Sequence, residues 1–119
     1  MTSTPNSDLD VIEFVQQLLD RLDEDDVSAE AMTDAFSLLA DRRRRLLLEV
    51  MRTYGEELTL PDAAEEVAIR ETGHTVTDIP AERVTEVYLS LYHDHLPRLV
   101  DAGLLEYDQE RDLVAPDAV

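Results

Sequence analysis

The sequence predicts a mainly α-helical chain closed by a small β-hairpin, and three observations point that way. Apolar residues recur at spacings of three and four along most of the chain, as helices buried on one side require. Near the C-terminus two short apolar runs flank a polar turn, the pattern of a hairpin. Gly55, Gly73 and Gly103, the three glycines of the chain, fall where periodic runs stop, as glycine does at helix ends.

Residues 1–7 are small and polar and predict a frayed terminus. Leu9, Ile12, Val15, Leu19 and Leu22, flanked by Phe14 and Leu18, predict an amphipathic helix over 8–22 with Ser7 as its N-cap. The acidic residues 23–26 end it and form a linker, and Ser28 caps a second helix over 29–40. Asp41 caps a third over 42–54, with Leu46, Leu47, Val50 and Met51 inward. A short strand-like piece covers 57–60. Pro61 then opens a helix over 62–71 with Ala64, Val67 and Ala68 inward.

After a Thr-rich connection over 74–79, a long helical pattern runs from Pro80 to Ala102. Val84, Tyr88, Leu91, Tyr92, His95, Leu96 and Leu99 face inward in it, leaving Arg83, Glu86, Val87, Ser90, His93 and Asp94 outward. Pro97 lies inside this run and is expected to kink or split it, because proline removes a backbone hydrogen bond. The hairpin follows, with its polar turn at 108–112. At 119 residues the chain suits one domain, divided as a tail and amphipathic helix over 1–27 and a folded domain over 28–119.

Charge narrows the function classes. The chain has 28 acidic and 10 basic residues, a net charge of −18, yet 44% of it is hydrophobic and spread throughout. That excludes a disordered acidic tail. No apolar run reaches a bilayer span and the first residues lack the regions of a signal peptide, so a cytoplasmic protein off the membrane is expected. Without cysteine there is no disulfide, thiol nucleophile or cysteine-based zinc site. All ten basic residues are arginine. This lysine-free, acidic, aromatic-poor composition resembles cytoplasmic proteins of halophilic archaea. In molar salt the screening length falls to about 3 Å, so total charge loses its reach and local contacts decide binding.

Two segments carry a more specific resemblance. The run Leu38-Leu39-Ala40-Asp41-Arg42-Arg43-Arg44-Arg45-Leu46-Leu47-Leu48 resembles the opening helices of arsenical-repressor-like winged helices. The stretch from Leu91 to Asp108, with His93-Asp94-His95-Leu96-Pro97 before an Ala-Gly turn and an acidic strand, is similar to a haloarchaeal winged helix-turn-helix family of uncharacterised domains. Together they cover about 32–116. The resemblance implies a winged helix-turn-helix with an extra N-terminal helix, and a DNA-binding transcription regulator. Two departures from the family pattern stand out. The connection between Glu71 and Glu82 exceeds the usual three- or four-residue turn. The wing tip holds Asp108, Glu110 and Asp112 against Arg111.

On that resemblance the helix over about 80–96 is the recognition helix, and Thr77, Arg83, Glu86 and Ser90 are its candidate base-reading residues. Arginine suits guanine and serine is permissive. Arg42 and Arg43 are candidate phosphate contacts to double-stranded DNA. Four consecutive helical arginines diverge by about 100° each, so at most two can grip one backbone. The competing expectation is that they pair with carboxylates such as Asp41 and Glu49, offsetting the unfavourable placement of cations at a helix N-terminus.

His74, His93 and His95 invite a metal, but His93 and His95 diverge by about 200° and no metal or cofactor is expected. His95 is expected instead as a hydrogen-bonded core residue beside the wing, with His93 exposed. No catalytic fingerprint is present, so an enzyme is not expected. The N-terminal amphipathic helix must bury its stripe against the domain or a second protomer, and a homodimer is expected. The alternative function is a winged-helix protein-interaction module whose acidic wing docks on a basic surface. Exposed Arg83, Arg42, Arg43 and Arg98 on one face favour DNA, whereas carboxylates covering that face favour a protein partner.

Overall fold

The computed structural model describes residues 7–24 and 28–117 of the chain. The expectations for a frayed terminus over 1–6 and for the acidic linker at 25–26 lie outside them. The chain divides into two compact units, Met1–Phe36 and Ser37–Val119.

In the first unit, α1 spans Ser7–Glu24, and α2, Ala29–Leu39, begins. The Ser28 hydroxyl accepts from the Ala31 N–H at 3.0 Å, the cap that its position before the apolar run predicts. Val11, Ile12, Phe14, Val15 and Leu19 of α1 and Phe36 of α2 each keep about half of their surface exposed, so the expected apolar stripe is present and largely uncovered.

The second unit holds the closed core. The Asp41 carboxylate accepts from the Arg43 and Arg44 backbone N–H groups and starts α3, Arg42–Tyr54. Gly55, at φ 67°, ends it. Strand β1 is only Leu58–Thr59, because the Thr59 hydroxyl accepts from the Asp62 N–H and turns the chain into α4, Leu60–Thr72. This helix starts two residues before the expected position. Pro61 still falls in its first turn, where no N–H is needed. Gly73, at φ 77°, ends it, and a 3₁₀ turn at Val76–Asp78 leads to α5, Ala81–Ser90.

The long helical run differs from its expected form. α5 passes without a break into a π-helical turn, Leu91–His95, and then into α6, Leu96–Asp101. Pro97 does not split the helix. It sits in the first turn of α6, and the turn before it is widened so that the Leu96 N–H reaches the Leu91 carbonyl. One extra residue per turn relieves the clash that a proline ring makes with the carbonyl of the preceding turn.

Strands β2, Leu105–Asp108, and β3, Leu113–Pro116, form the hairpin. β1 adds to the far side of β3, giving an antiparallel sheet of order β1-β3-β2, with Leu58 opposite Val114 and Tyr107 opposite Val114 on the other edge. Mainly helical, with helices flanking a short strand and a three-stranded sheet at the end, the unit has a winged-helix-like layout.

Its core joins Leu46, Leu47, Val50 and Met51 of α3, Leu60, Ala63, Ala64, Val67 and Ala68 of α4, and Val87, Leu91, Leu96 and Leu99 of the long helix, closed by Leu105 and Val114 from the sheet. Val87, expected outward, is fully buried. It shares a face with Leu91 at i, i+4, and the helix buries a broader stripe than the outward assignment allowed.

Candidate nucleic-acid interface

α5 owes its exposure to what surrounds it in the sequence. Pro80 precedes it, Val87 and Leu91 hold one side in the core, and Val84 and Tyr88 are half-buried at the margin. Ala81, Glu82, Arg83, Thr85, Glu86 and Leu89 remain exposed. The N-terminal half of a helix in this position is the part that can approach a partner first.

The arginines of that face are organised by carboxylates. Arg43, on α3, donates through Nε and Nη2 to the two oxygens of Glu71, both at 2.7 Å, a bidentate fork onto the last turn of α4. The same guanidinium donates to Glu86 on α5 at 2.8 and 3.3 Å. Arg83 donates through Nη2 to Glu71 Oε1 at 2.8 Å, and its Nε lies 4.0 Å from Glu86. Three helices are thus clasped by two arginines and two glutamates. The Arg43 guanidinium hydrogen-bonded to it, with help from Arg83, pulls the Glu71 carboxyl down to about 2, against an opposing effect of burial. The Arg43 guanidinium is correspondingly held charged.

The sequence candidates are distributed unequally. Arg83 keeps 42% of its side chain exposed and its Nη1 has no hydrogen bond among the described residues. Arg43 is 17% exposed and all three of its guanidinium nitrogens serve the clasp. Glu86 belongs to the same clasp. Arg42 is exposed and has no ion pair among the described residues. Thr77 is exposed in the 3₁₀ turn with its hydroxyl 3.1 Å from that of Thr75. Ser90 is half-buried where the helix enters the π turn, rather than fully outward.

The four consecutive arginines do diverge. Arg45 donates to the backbone carbonyls of Leu39 and Ala40 where α2 ends. This is the expected compensation for cations at a helix start, but with other partners: Glu49 pairs with Arg70 at 3.3 Å and the Asp41 carboxylate caps backbone. Arg98 pairs with Asp94 at 2.8 Å one turn away on its own helix.

His95 is 5% exposed, as expected of a core residue, but its Nδ1 has no hydrogen bond. At the end of the π turn it faces the cap of α3, with Nδ1 3.9 Å from Asp41 and 3.7 Å from Asp94, not in a satisfied pair beside the wing. Burial pushes its pKa below the usual histidine value, and the neighbouring Asp41 and Asp94 charges offset this only in part. His93 and His74 are exposed, and no group of three metal-ligating side chains is assembled among the described residues.

The wing is anchored to α5 by residues that the sequence reading left without a role. The Asp112 carboxylate accepts from the hydroxyls of Tyr88, at 2.9 Å, and of Tyr107. Asp112 occupies left-handed backbone at φ 53°, and its carbonyl accepts from the Leu60 N–H at 2.8 Å. Tyr92 stacks on Tyr88 and meets Tyr107 edge-on, and Gln109 donates to its hydroxyl at 3.2 Å. The bond to Asp112, then burial, raises the Tyr88 pKa, so the phenol stays a donor. Tyr88 and Tyr92 are one helical turn apart, a spacing that signals a shared face. Nothing in the sequence says that a distant aspartate meets the first of them.

Residues 36–115, which include the clasp, the long helix and all but the last residue of the hairpin, match one family model. The chain belongs to the family described as a domain of unknown function, DUF7344. No curated protein and no solved structure matches the chain. The DUF7344 match takes in Asp41, Glu71, Arg83, Tyr88 and Asp112 together and leaves α1 outside it.

Proposed function

We propose that this protein is a DNA-binding transcription regulator of winged-helix type, working in the cytoplasm of a halophilic archaeon as a homodimer, with α5 laid in the major groove. The observation that carries the reading is the open N-terminal half of α5, with Arg83 held on it beside a hairpin tied to the same helix through Tyr88 and Asp112. Arginine on the first turns of a groove helix is suited to guanine O6 and N7. Arg42 supplies an uncommitted cation for a phosphate. The exposed stripe of α1 supports the homodimer, since a helix with about half of each large apolar side chain uncovered gains by pairing with a copy of itself.

A second reading has an observation of its own. Glu71, Glu82 and Glu86 outnumber Arg43 and Arg83 on this side, and Leu89 lies exposed beside them. Such a face, joined to an acidic wing, fits a basic protein surface.

Retention on genomic DNA fragments in molar KCl decides between the two. The DNA reading expects sequence-dependent retention that is lost in Arg83→Ala, whereas Arg42→Ala weakens all sequences alike. Equal retention of native protein and Arg83→Ala, or no retention by folded protein at any salt, overturns it.

A further inference from the structure

We infer that Glu71 is a positioning residue for base recognition: it fixes the Arg83 guanidinium on the groove-facing side of α5 and so sets the preference for guanine. The inference rests on the DNA reading and deepens it. Glu71 is 12% exposed in the last turn of α4, and the Arg43 fork immobilises both of its oxygens. Oε1 keeps capacity for one more donor, and Arg83 Nη2 fills it at 2.8 Å.

Arg83 is not needed to hold the helices together. Arg43 alone already bridges α4 and α5, through Glu71 on one side and Glu86 on the other. What Arg83 gains from Glu71 is direction. A free arginine samples many rotamers, and ordering it on contact weakens binding and blurs selectivity. With Nη2 on Glu71 and Nε turned toward Glu86 at 4.0 Å, its Nη1 is left without a partner among the described residues and 42% of the side chain is open to solvent. The end of the fork then carries N–H groups from both terminal nitrogens, as bidentate reading of guanine requires.

Two measurements on the full chain in about 2 M KCl test this, a salt at which surface pairs are strongly screened. The first follows the Arg83 side-chain nitrogens by NMR in free protein. Slow guanidinium rotation in the native protein, becoming fast in Glu71→Gln, is expected. Fast rotation in the native protein overturns the inference without reference to DNA. The second selects binders from random double-stranded DNA. The native protein should favour guanine at one position by about 5- to 150-fold, and Glu71→Gln should lose most of that ratio while keeping affinity for DNA in general.

Unchanged preference in Glu71→Gln overturns the inference but leaves the DNA reading standing. No selection by the folded native protein removes both. Should Glu71→Gln fail to fold, Glu71→Asp keeps the charge but retracts it by one methylene, and is expected to lower the guanine ratio in the same way. An unchanged ratio there overturns the inference as well.

Discussion

His95 shows how one residue couples the fold to pH. Its pKa in the folded protein is depressed, by burial first, so acid protonates the unfolded chain more readily than the native one. Stability from this group is fully present above its ordinary value of 6.5 and is lost as pH falls below it. In His95→Leu, urea midpoints should therefore fall less between about pH 7.5 and pH 5 than in the native protein, the interval that brackets an ordinary histidine pKa. An equal fall in both proteins contradicts the assignment. Asp112 offers a second residue-scale test. Alanine there removes the acceptor of two phenols and places an unfavoured side chain in left-handed backbone, for a cost of about 2–3 kcal/mol. Asn, which tolerates that backbone and keeps one acceptor oxygen, should cost about 1 kcal/mol by the same urea measurement. Individual residues were unevenly legible. The cap at Asp41 follows from local sequence because it depends on neighbours a few positions away, and the burial of His95 follows from its place on the apolar stripe, though its proximity to Asp41 does not. The Arg43, Glu71 and Glu86 clasp does not, since its members are 28 and 43 positions apart and 28 carboxylates compete for the role.

At the scale of elements, periodicity located α3, α4 and the long helix after Pro80 because each buries one side in the same core, and passed over the 3₁₀ turn at Val76–Asp78, which buries none. It failed where the backbone departs from a fixed period. A widened turn shifts the facing of side chains without altering the spacing of apolar letters, so the π turn at Leu91–His95 could not be read from the pattern, whereas the burial of Val87, at regular spacing from Val84 and Leu91, was there to be read. Strand β1 is likewise too short to show alternation, and its pairing with β3 is a long-range event. The helix stops were legible for a steric reason. Gly73 stands at φ 77° with no atom within 4 Å of where a Cβ would sit, so its requirement is purely one of backbone. Gly73→Ala should lower stability by about 1 kcal/mol without disturbing α4, seen as a lower melting temperature with an unchanged helical CD spectrum.

The whole molecule carries a net charge of −18 on 119 residues, and that number governs its solution behaviour more than any single contact. Self-repulsion opposes compaction in dilute buffer and is screened in concentrated salt. The melting temperature should rise strongly between about 0.1 M and 2 M KCl, a range over which the screening length shrinks severalfold. A constant value contradicts the salt-adapted reading of the composition. The overall helical layout with a terminal hairpin was legible because it depends on pattern alone. The surface of α5 was not, because the sequence does not say which arginines are spent internally.

The hairpin is not an independent flap. Through one residue, Asp112, it grips the opening of α4 with its main chain and the last turn of α5 with its side chain. Displacing that residue therefore breaks a main-chain bond to one helix and a side-chain bond to another together, so the turn cannot leave its seat without loosening both.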